Sequence, residues 1–230
     1  MKKQDFLFIL VFISIICFLA IPYTRTVFEN ATDSHPYMMG FIKTSILATW
    51  GELLASRIAT KKYFSRPGII YRFIVWGILG FGFVLMFKIF SNGVMAAIDA
   101  GLLPTVTNTG FLGSLYLAFM TSLFMNLIFA PTFMILHRIT DTYIDLGKGN
   151  LKKINTIKIG QVVDNINWKT FFGFVIFKTI PLFWIPAHTI TFLLPENYRV
   201  LMAGFLSIAL GLILTLTKIK NSGGKDEVIS

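Results

Sequence analysis

The sequence predicts an all-α integral membrane protein of about six transmembrane helices, an N-terminal anchor followed by a compact helical bundle. Three observations predict it. Of the 230 residues, 55% are hydrophobic and only 14% charged, where a soluble domain carries about a quarter of charged residues. Mean hydropathy is +0.71, and several apolar runs approach the length of about 20 residues that crosses hydrocarbon as a helix. The 24 phenylalanines add more apolar surface than a soluble core of this size would cover.

The 21 lysines and arginines exceed the 11 acids by ten charges, but the bases sit in short clusters between apolar runs. That placement fits membrane topology rather than a nucleic-acid face. Cys17, the single cysteine, permits no intramolecular disulfide and reads as a small buried hydrophobe.

In chain order, Phe6 to Ile21 is apolar behind Lys2 and Lys3, the pattern of a signal peptide or a first membrane anchor. Ala20-Ile21-Pro22 offers no small-x-small cleavage site, which favours the uncleaved anchor, residues 1–34 with its connection. Residues 22–37 read as a polar connection along the membrane surface. Met38 to Ala59 is a second span carrying Lys43, Glu52 and Arg57, so it should face protein or water. Its small residues Thr44, Ser45, Ala48, Gly51, Ala55 and Ser56 recur at helical spacing and suit close packing.

A basic turn around Arg66-Pro67-Gly68 leads to a third span, Ile69 to Phe90, with Gly77, Gly80 and Gly82. Residues 91–110 hold no lysine or arginine and close with the turn formers Asn108 and Gly110. Phe111 to Leu136 is a fourth span interrupted by Asn126 and Pro131, and 137–169 is the longest polar connection. Residues 159–168 lie at the interface, Trp168 at headgroup depth. Thr170 to Leu194 makes a fifth span, broken by proline near its end, and Arg199 to Leu216 a sixth with Gly204, Ser207 and Gly211. The bundle thus occupies 35–218, with a polar tail over 219–230.

Six spans put both termini on the side of the basic connections 60–72 and 137–169. The positive-inside rule makes that side cytoplasmic. A Lys-Lys start without an arginine-rich transit segment points to a bacterial inner membrane, the organellar membrane being the alternative.

Ionisable groups at membrane depth cost about 2.5 to 3.5 kcal/mol each and need a reason. Lys43 and Lys88 lie near span ends, where they can snorkel. Glu52 and Lys178 cannot do so as readily, and are expected either to pair or to line an aqueous path with His188, Asn126 and Thr191. The prolines of 183–199 are expected to break the fifth helix at His188, a gate or proton relay if it is not a packing residue. Neither a metal-ligand pattern nor a catalytic motif is present, so no enzyme, metal or cofactor is expected.

The spacing of Trp184, His188, Thr191-Phe192, Pro195 and Arg199 resembles the closing signature of the Mpv-seventeen and twenty-two-kilodalton peroxisomal membrane protein family. His188 and Thr191 stand where that family has glutamine and asparagine. His35-Pro36-Tyr37, Thr44, Gly51-Glu52, the glycines around Phe81, and Phe129-Ala130-Pro131 extend the resemblance over Pro36 to Lys218. It implies a channel for small solutes, weakly selective. The alternatives are a scaffold or assembly protein that transports nothing and, more weakly, a secondary transporter, for which no internal repeat speaks. The lipid bilayer is the expected partner. The basic connections offer anionic lipid a surface, and the glycine stripes could equally seat a second copy of the chain.

Overall fold

Why five of the helices form is plain from composition: long apolar stretches bounded by Pro, Gly and Asn satisfy their backbone polar groups internally only as helices. The computed structural model describes residues 3–105 and 110–226, with side chains of the last helix through Leu216. Asn108 lies outside the described residues, as do the side chains of Lys218, Lys220 and Lys225. All regular structure among the described residues is helical. In order, α1 is Lys3–Ala20, α2 Pro22–Ser34, α3 Pro36–Thr60, α4 Ile69–Asp99 and α5 Phe111–Leu146. The short α6 (Leu151–Ile154) and α7 (Ile159–Asp164) follow. A fifth long rod, Trp168–Leu193, comprises α8 (Trp168–Thr170), a π-helical segment Phe171–Trp184 and α9 (Ile185–Leu193). The chain closes with α10, Glu196–Asp226.

Five helices are long and apolar enough to cross a membrane: α1, α4, α5, the rod Trp168–Leu193, and Glu196–Leu216 of α10. No more than 28% of any of these apolar windows is buried, which is compatible with a membrane protein whose helices face hydrocarbon. The sixth expected span, α3, has the length at 25 residues but is too polar for that set. It lies between α4 and α10, packed along both. Helix α5 in turn packs on α4 and on α9.

The seam between α3 and α4 is a close backbone approach. A Cβ on Gly80 would fall 2.5 Å from the Gly40 carbonyl oxygen, so only glycine lets these backbones meet. Thr44 Oγ1 then donates to Trp76 O at 2.8 Å, and Ser45 Oγ to Phe73 O at 2.9 Å. On the other flank Gly51 sits against Ile208 and Gly204 against Leu47. Of the expected small-residue stripe on α10, Gly211 meets nothing within 4 Å and faces open space.

Several boundaries differ from the sequence reading, and for α5 and α2 the reason is that other elements cover their polar faces. Helix α4 runs to Asp99 and α5 to Leu146, carrying into α5 residues expected in a loop. Residues 22–34 are helix, not free connection. Phe28 of α2 is buried with Leu47, Leu201 and Ile208, and Glu29 hydrogen-bonds the Tyr198 hydroxyl. Helix α10 continues to Asp226, through most of the expected tail. Cys17 is exposed on α1, a helix with no buried residue, so it is not the buried hydrophobe expected.

The anchor is docked nonetheless. Phe8 stacks on Trp50 at 4.2 Å between centroids, and Asp5 takes a two-pronged ion pair from Arg57 at 2.7 and 2.8 Å. Asp5 thereby marks what we term the near end of the bundle, shared with the 61–68 loop and the 147–150 turn. There Gly68 and Gly149, both at positive φ, approach so closely that a Cβ on Gly68 would lie 3.0 Å from Gly149 Cα. The far end is formed by α2 and the start of α10.

Candidate functional site

At the near end three elements bring their charges together. On α5, His137, Asp141 and Asp145 recur every four residues and share one face. On α4, Arg72 and Trp76 do the same, α3 offers Glu52, and the Gly68–Gly149 contact presses Arg66 of the loop against α5. The Arg72 side chain is wholly buried and reaches Asp141 Oδ1 at 2.6 Å and Asp145 Oδ1 at 2.5 Å. Its Nε donates to Pro67 O at 3.2 Å. Arg66 Nη2 meets Asp145 Oδ2 at 2.9 Å and Asp141 Oδ2 at 3.3 Å. Glu52 accepts from Trp76 Nε1 at 2.8 Å, with Arg72 Nη1 3.8 Å and Arg66 Nη1 3.9 Å from its other oxygen.

Both oxygens of Asp141 are thus held by charge-assisted bonds, the arrangement that makes burial of a carboxylate tolerable. Burial of the Arg66 guanidinium favours its neutral form, but Asp141, Asp145 and Glu52 outweigh that and hold its pKa above the ordinary arginine value. His137 packs its ring 4.3 Å from Trp76. Its Nε2 lies 3.8 Å from Asp141 and 4.0 Å from Glu52, and has no hydrogen-bond partner. One donor atom each from Glu52, His137 and Asp141 falls within 4.8 Å of the others. A metal ion there would have to displace two guanidiniums that already neutralise the carboxylates, so the chemistry of the group is that of an ion-pair network.

A cavity of about 360 Å³ opens beside this network. Glu52, Arg66, His137, Arg138 and Asp141 border its charged end. Its deeper wall is apolar and aromatic, with Met125, Phe129, Phe133, Trp184 and His188. His188 is 3% exposed, stacks on Trp184 at 5.3 Å, and its Nδ1 has no partner, as is also true of Trp184 Nε1. Orphan polar atoms are uncommon in native interiors; of the five buried ones among the described residues, three belong to residues of this one cavity.

The five expected polar residues therefore fare differently. Glu52 and His188 do share a cavity, at its opposite parts. Lys178 does not join them. It is exposed, and its segment makes no contact with α3, so the expected Glu52–Lys178 pair does not exist. The reason is placement: the π segment packs on α5 and α9, whereas α3 lies between α4 and α10. Ile176, Thr179 and Ile180 point inward instead. A Glu52/Lys178 double-mutant cycle read by thermal unfolding should accordingly be additive, whereas Glu52 and Arg66 should couple.

Asn126 and Thr191 are buried but spent on the backbone. Asn126 Nδ2 donates to Ser122 O at 2.8 Å, and Ser122 Oγ passes the chain on to Ile185 O at 2.7 Å. Thr191 Oγ1 donates to Ala187 O at 3.0 Å. The expected break of the helix at 183–194 is absent. Pro181 sits within the π segment and Pro186 in the first turn of α9, so the rod runs unbroken to Leu193, and the chain turns only at Leu194-Pro195.

The remaining singled-out residues are structural in placement. Pro36 opens α3, Pro131 lies inside α5, and Thr44 and Gly51 serve the seams described above. Phe192 is in the core with Phe83 and Phe87. Arg199 donates to Leu194 O at 3.0 Å and Phe192 O at 3.2 Å, satisfying carbonyls left free at the end of α9.

Sequence reading missed Arg72, His137, Asp141 and Asp145 as a group. The signal was present, since 137, 141 and 145 prolong the helical period of α5 and 72 and 76 that of α4, but the fourth span had been ended at its last apolar residue. No family model, curated protein or solved structure matches this chain.

Proposed function

We propose that the chain is an integral membrane protein whose six long helices, α3 included, span the bilayer and which passes small solutes with weak selectivity. One observation carries this reading. The near-end cavity of about 360 Å³ ends at His188, a far-end cavity of about 390 Å³ ends at Phe87, and the two rings touch edge-on at 5.7 Å. Phe87 also packs on Phe192 at 5.2 Å. A path closed by an aromatic layer between two vestibules is the shape of a gated conduit, and each vestibule has the volume of a small-molecule site.

The near end, with the basic loops, is then the cytoplasmic side, its loops a surface for anionic lipid, and the bacterial inner membrane its location. Divergent membership of the family that the sequence resembles belongs to the same proposal. It rests on the spacing of Trp184, His188, Phe192, Pro195 and Arg199 in the sequence.

Liposome swelling with purified protein tests the reading. Phe87→Ala, which thins the layer, should raise the flux of small neutral solutes several-fold per folded protein. Absence of flux from both wild type and variant, with a control pore active in the same vesicles, defeats passage. The ion-pair network of Arg72 with Asp141 and Asp145 favours the second reading in that event, a scaffold locked by its own charges.

A further inference from the structure

The far-end cavity differs from the near one in how its charges are matched. It is bordered by Lys43, Lys88 and Arg199 and by the acids Asp33 and Glu196. Lys88 and Glu196 neutralise each other at 2.9 Å, both 57% exposed. Lys43 is 5% exposed, yet its ammonium donates only to Thr32 Oγ1 and Asn197 O, each at 2.9 Å, and lies 4.4 Å above the Phe28 ring. Among the described residues no carboxylate forms an ion pair with it. Asp33 attracts it only at longer range and itself accepts from Asn197 Nδ2 at 3.3 Å.

Arg199 is the second such cation. Its partners are the carbonyls of Leu194 and Phe192 and, at 3.5 Å, Ser91 Oγ. Its one carboxylate neighbour, Glu196 at 4.0 Å, is already held by Lys88. An ammonium has three donors and a guanidinium five, so one N–H of Lys43 and two of Arg199 have no protein acceptor. The start of α10, whose Glu196 and Asn197 border the same cavity, adds the positive end of a helix dipole.

Buried cations are normally paired with acids inside the protein. Here Lys43 is buried with no ion-paired carboxylate among the described residues, and the partly buried Arg199 shares Glu196 with Lys88, so the cavity has room for a counter-charge from outside. We propose that the far-end cavity binds a small carboxylate or oxyanion between the Lys43 ammonium and the Arg199 guanidinium. The proposal rests on the conduit reading only in naming a class of solute that would enter it; binding itself requires no passage.

The full chain, purified in non-ionic detergent, is titrated with inorganic phosphate and with acetate, against sodium chloride of equal ionic strength, and followed by thermal unfolding and calorimetry. Expected is a saturable stabilisation beyond the chloride control. Lys43→Met, which removes one charge-assisted contact, weakens affinity about ten- to a hundred-fold. Without anion it is at least as stable as wild type, because an unmatched buried charge has gone. Arg199→Lys, which keeps the charge and loses the fork, also weakens binding and serves if Lys43→Met does not fold. Lys178→Gln removes a distant charge and keeps the full response.

A wild-type response no larger than that to chloride from phosphate, acetate and phosphatidylglycerol alike overturns the proposal. So does a Lys43→Met protein that is less stable yet responds as wild type does, which makes Lys43 a staple between α2, α3 and α10. Phosphatidylglycerol titrated in parallel identifies the source: saturation by lipid but not by free phosphate or acetate keeps the anion site and assigns its occupant to a headgroup. Binding without liposome flux leaves the site and removes the conduit, and flux without binding does the reverse.

Discussion

Arg72→Met should destabilise the bundle by about 3 to 5 kcal/mol, the cost of stranding one partner of a buried ion pair. The side chain it replaces is wholly buried, and Asp141, 7% exposed, keeps only the longer contact from Arg66 at 3.3 Å, so water cannot take over the bond its Oδ1 loses. Asp145, at 43% exposure, adds little to that figure because solvent screens it. Unfolding in mixed detergent micelles measures the effect. Adding Asp141→Asn to Arg72→Met should recover part of the loss by removing the stranded charge. If the single variant unfolds with wild type, the network contributes nothing to stability and the scaffold reading loses its main support.

The second large effect is expected at Gly80. Alanine is the better helix former by about 1 kcal/mol, so in an open position Gly→Ala stabilises. At Gly80 the new Cβ meets the Thr44 hydroxyl and would sit 2.5 Å from Gly40 O. Helices α3 and α4 must then separate, stretching the 2.8 Å bond from Thr44 to Trp76 O and the 2.9 Å bond from Ser45 to Phe73 O. Gly80→Ala should cost about 2 to 3 kcal/mol net, in the range of overpacked interiors. Gly93, on the same helix with nothing within 4 Å of its Cβ position, is the control: Gly93→Ala should be neutral or stabilising. Equal behaviour of the two variants would mean that close approach does not hold α3 to α4.

The contrast between these glycines shows how much could be read without coordinates. Gly77, Gly80 and Gly82 were all legible as packing candidates, and the small stripe on α3 was sound at Thr44, Ser45 and Gly51. Which glycine faces a backbone and which faces open space depends on helix rotation, and that is decided by the partner. Gly40, the other half of the crossing, was not singled out because nothing in its own segment distinguishes it.

Polar residues were harder for a related reason. Ending a span at its last apolar residue treats charge as a sign of water. In α5 the helical period runs on through His137, Asp141 and Asp145, because Arg72 and Arg66 supply from other elements the counter-charge that water would otherwise provide. Lys178 failed in the opposite sense. A charge in mid-span pointed to a partner inside the bundle, but the segment Phe171–Trp184 packs on α5 and α9, away from α3, and leaves Lys178 exposed.

Phe183 to Arg199 shows both limits at once. Its prolines were expected to break the helix, yet Pro186 falls where the π segment passes into α9 and the rod continues through it, while Ser122 from α5 reaches the carbonyl of Ile185. Sequence alone determined the all-helical class, the long apolar rods and the clustering of bases at one end, because hydrocarbon-length runs and helical periodicity are local properties of the chain. Tertiary structure alone decided the rest. It matched Glu52 with Trp76 and the arginines rather than Lys178, left Lys43 with no ion-paired carboxylate among the described residues and Arg199 sharing Glu196 with Lys88 at one cavity, and set Phe87 against His188 between two. Charge pairing and cavity shape are properties of helices placed side by side, and their rotations are fixed by contacts such as Gly40 on Gly80 that lie far apart in the chain.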